Sequence, residues 1–125
     1  MPTAIDITAA GDPQVQPRLR YVRRGIYDPR RQFKAEFRRR IFSACRQIGV
    51  NHFPIFPATN HLRVSVTFNV VRMNKDIDNL LKLILDVLHG AVYANDADVT
   101  ILVAKKTQSN TGDEGAYTQL RVEKV

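Results

Sequence analysis

Apolar residues recur along this chain at two different periods, and the switches between them outline the fold. In "AIDITAA" (4–10) and "LRVSVTFNVV" (62–71) they alternate, with Leu62, Val64, Val66 and Phe68 set against Arg63, Ser65, Thr67 and Asn69. A period of two puts each set on its own face, so both segments predict half-buried strands. Between them Phe33, Phe37, Ile41, Cys45 and Ile48 recur at helical spacing. That helix is expected to open at Asp28-Pro29, an N-cap followed by a first-turn proline, and to end near Gly49. Arg31, Lys34, Arg38, Arg39 and Arg46 then form its basic outer side. A second helix is expected from Asp76 to His89, apolar around most of its circumference and stopped by Gly90 at the C′ position. Segments 98–107 and 117–124 read as two further strands around the turn "QSNTGDEG". The stretch 13–31, rich in proline and arginine, reads as an extended loop or loose hairpin, and 51–61 as a connection. The order β-α-β-α-β-β predicts a single α+β domain, a small mixed sheet with two helices packed on it.

Length and composition add bounds rather than chemistry. A chain of 125 residues, 44% hydrophobic and 25% charged, suits one folded domain. No stretch approaches the roughly 18 consecutive apolar residues of a membrane span, and the N-terminus lacks the basic-then-apolar pattern of a secretory leader. The one cysteine, Cys45, excludes an internal disulfide and a cysteine-rich zinc site; it suits a reducing, cytoplasmic setting and lies on the apolar helix stripe. Charge is more telling. The formal net is +7, and 13 of the 19 basic residues are arginine. Arginine pairs bidentately with phosphate, so a nucleic acid is the simplest partner.

Against that positive background stand Asp76, Asp78, Asp86, Asp96 and Asp98, in or beside the most apolar part of the chain. Burying an unpaired carboxylate costs several kcal/mol, so each needs a reason. Asp78, Lys82, Asp86 and His89 share one stripe of the second helix, which fits a solvated seam with an Asp78–Lys82 pair. Asp76 has a cap role open to it, and it converges with Asp78 only if it lies at or before the cap, since two residues within a helix diverge by about 200°. An EF-hand is excluded by Leu80 and Leu81 where a ligand and a glycine are required. The remaining reading is a hard-cation site, with Asp76 and Asp78 meeting a carboxylate of "ANDADV" at one end of the sheet. A metal held there, inside a positive protein, fits phosphodiester hydrolysis.

The blocks "DIDNLLK", "DVL" and "NDADV" resemble those of the RusA-type Holliday junction resolvases, D-x-D-N-L-x-K, D-A-L and D-D-x-Q-V. Asp76, Asp78, Asn79, Leu80 and Lys82 match the first, Asp86 and Leu88 the second, and Asp96 the second aspartate of the third. Pro17, Arg18, Arg20, Tyr27 and Pro29 match the family's N-terminal R-P-R and Y-x-P segment, so the resemblance covers most of the chain. It departs at Asn95, which replaces the first aspartate of the D-D pair, and at Asp98, which stands for Gln and is an alternative ligand to Asp96.

The resemblance implies a homodimeric, Mg²⁺-dependent endonuclease, with Mn²⁺ a possible substitute, that cuts branched DNA, the four-way junctions of recombination and repair, with paired nicks. Asp76, Asp78 and Asp96 would bind metal, and Lys82 would lie beside the scissile phosphate. Candidate DNA contacts are Arg18, Arg20, Arg23, Arg24, Arg72, Lys75, Lys105 and Lys106, of which only one of the last two can face the DNA from a strand. His52, His61 and His89 show no ligand spacing and read as structural or surface groups. Two other readings remain open on the residues alone: a basic nucleic-acid-binding protein without activity, and a metal-dependent nuclease of flaps or simple duplex.

Overall fold

The computed structural model describes residues 3–16, 20–22, 25–27, 30–57 and 61–125. The first helix begins at Arg31 with Arg30 at its N-cap and no side-chain capping bond, two residues later than the start expected at Asp28-Pro29. Asp28 and Pro29 themselves, and the side chains of Arg18, Arg20, Arg23 and Arg24, lie outside the described residues. Chain order is β1 (Ala4–Ala10), β2 (Arg20–Val22), β3 (Gly25–Tyr27), α1 (Arg31–Gln47), β4 (Leu62–Val70), α2 (Ile77–Leu88), β5 (Val99–Gln108) and β6 (Tyr117–Lys124). β2 and β3 pair as a small antiparallel hairpin, which gives form to the expected loose hairpin. The other strands make one mixed sheet in the order β1-β6-β4-β5, with β4 and β5 parallel and the remaining pairs antiparallel.

The strand periods decide which face is covered. Leu62, Val64, Val66, Phe68 and Val70 of β4 are buried, with Ile5 and Ile7 of β1 and Leu120 and Val122 of β6 on the same face. Phe37, Ile41 and Cys45 of α1 and Leu80, Leu83, Ile84, Val87 and Leu88 of α2 close over them in one cluster. Each such side chain contributes about 1.5–3 kcal/mol by leaving water. The opposite face, with Ser65, Thr67 and Asn69, stays partly open. Burial pushes the Cys45 thiol above its usual range, as expected of a core cysteine.

The basic side of α1 is not wholly an outer face. Lys34 is 6% exposed, and its ammonium lies 2.6 Å from the Asp86 carboxylate. Arg38 donates to the carbonyls of Asp86 at 2.8 Å and Val87 at 3.3 Å, in the last turn of α2 where carbonyls lack helical partners. Two residues expected to face solvent thus fasten α1 to α2. The stop beyond α2 is as expected: Gly90 has φ +83°, in the left-handed region where glycine carries no Cβ penalty.

The β4-α2-β5 unit fixes the positions of Asp76, Asp78, Lys82 and Asp96. Its two strands run parallel, with Leu62 beside Val99 at one end and Val70 beside Gln108 at the other. α2 therefore starts at one end of the sheet, and the chain enters β5 at the opposite end.

Candidate active site

The six residues 71–76 carry the chain from β4 into α2 and are held from two sides. Asp12 accepts from Val71 N at 3.0 Å and from Lys75 Nζ at 2.6 Å, and Lys75 Nζ also donates to Pro13 O at 2.6 Å. From β5, Lys106 Nζ donates to the carbonyls of Met73 and Lys75, both at 2.7 Å. Lys75 and Lys106 were expected on DNA; in this chain both ammonium groups are engaged by protein oxygens, at exposed to part-buried positions. Lys105 is exposed and pairs with Thr67 on the outer sheet face. Strand alternation thus separates the two neighbours as required, and Arg72, within the linker, is exposed.

Asp76 sits at the N-cap of α2 with extended backbone, φ −71° and ψ 129°, yet its side chain makes no capping hydrogen bond. It lies before the helix, which is the condition under which its carboxylate and that of Asp78 can converge. Both residues are exposed, at the helix end whose unpaired N–H groups favour negative charge. Among the described residues no ion pair engages Asp76, Asp78 or Lys82. The expected Asp78–Lys82 bridge is absent from that set, although the i, i+4 spacing keeps both residues on one face of α2.

The residues that flank the arginine-rich stretch can be placed near the start of α2. Gln16 N donates to Asn79 O at 3.1 Å, in the first turn of α2. Arg30 Nε donates to Val15 O at 3.2 Å. Gln16 and Arg30, the described residues that flank the arginine-bearing stretch 17–29 in sequence, are thus linked through the 15–16 backbone to the first turn of α2.

Asp96 lies elsewhere. It opens a 3-10 turn, Asp96–Asp98, at the entry to β5. The Asn95 carboxamide oxygen accepts from Ala97 N at 3.0 Å, so the residue that departs from the family pattern has a capping role. Asp96 Oδ1 is 3.3 Å from His89 Nδ1 at the C-terminal cap of α2. The buried Tyr93 hydroxyl donates to Leu85 O at 3.3 Å; its pKa is pushed far above the ordinary phenol range, first by burial and then by Asp96. His89 and Tyr93 were not expected at the site; the only signal in the sequence was their position around the helix stop. Asp98 turns one oxygen, Oδ2, into the protein with no hydrogen-bond partner among the described residues.

Within one chain the aspartates therefore form two stations, not one. α2 is 12 residues long, which at 1.5 Å per residue separates its ends by about 18 Å. The expected meeting of helix start and strand start fails because a parallel crossover returns the chain to the far end before the next strand begins. Among the described residues no three His, Cys, Asp or Glu side chains gather closely enough to hold a metal.

A family model described as endodeoxyribonuclease RusA matches residues 10–115. The chain belongs to the RusA endodeoxyribonuclease family. The match takes in the linker, both aspartate stations and the arginine segment. No curated protein matches the chain. Among the described residues of this RusA-family chain no helix is long and apolar enough to cross a membrane.

Proposed function

We propose that this RusA-family chain is a Holliday junction resolvase: a Mg²⁺-dependent, homodimeric endonuclease that hydrolyses phosphodiester bonds at four-way DNA junctions in cytoplasmic recombination and repair. The observation that carries this reading is the pair of exposed carboxylates, Asp76 and Asp78, at the start of α2, where Gln16, the residue preceding the arginine-rich stretch in sequence, is bonded to Asn79. Carboxylate oxygens without other partners suit a hard divalent cation, Mg²⁺ or Mn²⁺. Asp96 cannot join them from the same chain, so a site that uses all three draws on Asp96 of the partner subunit. Two such sites related by a two-fold axis would suit paired nicks in opposed strands.

The cation would neutralise charge on the attacked phosphate and act as a Lewis acid. The protein's own part is positional and electrostatic. Asp76 and Asp78 present oxygens from a fixed helix start. Lys82, one turn deeper on the face of Asp78, supplies positive charge for the phosphate or a proton contact to the attacking water. Arg18, Arg20, Arg23, Arg24 and Arg72 hold phosphates in the arms, Lys105 contributes only if DNA reaches the outer sheet face, and Lys75 and Lys106 leave this set.

Labelled four-way junction, flap and linear duplex, each with and without Mg²⁺, test the reading. Selective cutting of the junction with Mg²⁺ is expected. Equal cutting of flaps or duplex would make the chain a less selective nuclease. No cutting of any substrate with Mg²⁺ or Mn²⁺ would leave only a DNA-binding role.

A further inference from the structure

The linker 71–76 is fastened more heavily than a surface turn requires. One fastening comes from the N-terminal strap, where Asp12 takes the Val71 amide on one oxygen and the Lys75 ammonium on the other, at 3.0 and 2.6 Å. A second is the Lys75 contact with Pro13 O at 2.6 Å. The third comes from β5, where the Lys106 ammonium bridges the carbonyls of Met73 and Lys75 at 2.7 Å each. Lys75 and Asp12 are both mostly shielded, their side chains 22% and 24% exposed, and Lys106 is half-buried. Asp76 follows Lys75 directly. Its own side chain makes no capping bond, so this fixture is what sets the direction in which its carboxylate leaves the chain.

The strap has a second connection. Four residues beyond Asp12, Gln16 N is bonded to Asn79 O, and the arginine segment begins at the next residue. The same short stretch, 12–16, thus contacts the start of α2 through Gln16 and the linker through Asp12.

We infer that Asp12, Lys75 and Lys106 are positioning residues: they form a three-point latch that aims the Asp76–Asp78 carboxylates. This rests on the resolvase reading for the role of Asp76 and Asp78. It reassigns Lys75 and Lys106 from phosphate contacts to the support of a cation site. Supporting groups of this kind typically change metal affinity or activity 10- to 100-fold when removed.

The full-length protein and its Lys106→Met and Asp12→Asn variants decide the matter through three measurements. These are Mn²⁺ affinity from the free-ion paramagnetic resonance signal, junction affinity against salt without divalent cation, and single-turnover junction cleavage. The Asp12→Asn change retains the oxygen that Val71 N uses and removes only the ion pair. Mn²⁺ affinity and cleavage rate are expected to fall about 10- to 100-fold in both variants, with junction affinity and its salt slope unchanged. A slope shallower by about 0.9 for Lys106→Met would make that residue a phosphate contact and overturn the latch. So would unchanged Mn²⁺ affinity in variants that melt cooperatively.

If Lys106→Met does not fold, Lys106→Gln, which keeps a donor, is judged by the same criteria. Asp12→Asn combined with Lys75→Gln adds a separate criterion: a joint loss equal to either single loss marks one shared contact, and additive losses reject it. A parent protein that binds Mn²⁺ but cuts no branched DNA rejects the resolvase reading and leaves the latch standing or falling on Mn²⁺ affinity alone. A parent that binds no Mn²⁺ rejects the latch.

Discussion

The ammonium of Lys34 lies 2.6 Å from Asp86, with the lysine side chain 8% exposed and the aspartate 55% exposed. The pair joins α1 to α2, and its two halves differ in what their loss leaves behind. Asp86→Ala takes the short carboxylate contact from a buried cation. Lys34→Met removes the buried charge itself and keeps most of the stem that packs. Removing the partner of a buried charge costs more than replacing the charge by an apolar group of similar size. Because Asp86 is more than half exposed, we expect Asp86→Ala to cost about 1–2 kcal/mol and Lys34→Met to cost less. Urea midpoints measure both; the reverse order would show that the pair is not what holds the helices.

Asp76→Asn and Asp78→Asn should each lower junction cleavage by about 1,000-fold or more, equivalent to several kcal/mol of lost charge stabilisation. Junction binding without divalent cation should persist or tighten, because a negative charge facing phosphate is gone. Parallel cleavage and gel-shift assays check this. Loss of cooperative melting in either variant would make that carboxylate a structural partner.

A site shared between two chains has a sharper signature. Asp96→Asn protein and the Asp76→Asn/Asp78→Asn double variant should each be inactive alone. After unfolding and refolding as a mixture, half of the sites in a mixed dimer would contain all three native aspartates. Such dimers should nick one strand without making the paired cut. A site built within a single chain would give no recovered nicking at all.

Arg18→Ala and Arg20→Ala should weaken junction binding and flatten its salt dependence, by about 0.9 in slope for each phosphate no longer neutralised. If they hold phosphates in the arms, the loss should appear on isolated duplex arms as well as on the junction. Fluorescence titrations over a range of salt concentrations measure it; an unchanged slope removes the residue from the contact set.

Tyr93 gives a prediction in pH. Its folded pKa lies above the unfolded value of 10.0 because of burial and Asp96. The neutral phenol therefore stabilises the fold fully below about pH 10, and that contribution is lost as pH rises above it. The linkage slope is at most about 1.4 kcal/mol per pH unit for one proton. Tyr93→Phe, compared with the parent from pH 9 to pH 11, should lose stability less steeply in urea titrations. Equal slopes would mean that the hydroxyl ionises freely in the folded protein.

Much of the fold was legible because single-residue periods dictate it. The strands Ala4–Ala10 and Tyr117–Lys124 were expected with their observed limits, and α2 within one residue at each end, because alternation and Gly90 leave little freedom. Contacts across the chain were not legible. Lys34 and Arg38 read as solvated because helical spacing shows which face they share, not what packs against it. Asp12 carried no signal, since its partner Lys75 is far away in sequence. At the site, the residue types and the resemblance pointed to Asp76, Asp78 and Asp96, but the direction of β5 was left open. That direction, parallel to β4, is what separates Asp96 from the other two.

The length of α2 has a mechanical consequence. If each cutting centre takes its first two aspartates from one chain and its third from the other, every chain spans both centres with the same rigid rod of 12 residues. The spacing of the two nicks is then set by a residue count, about 18 Å of helix, and the helix works as a ruler. Adding or removing a turn in its middle would shift that spacing by about 5 Å while keeping every ligand residue.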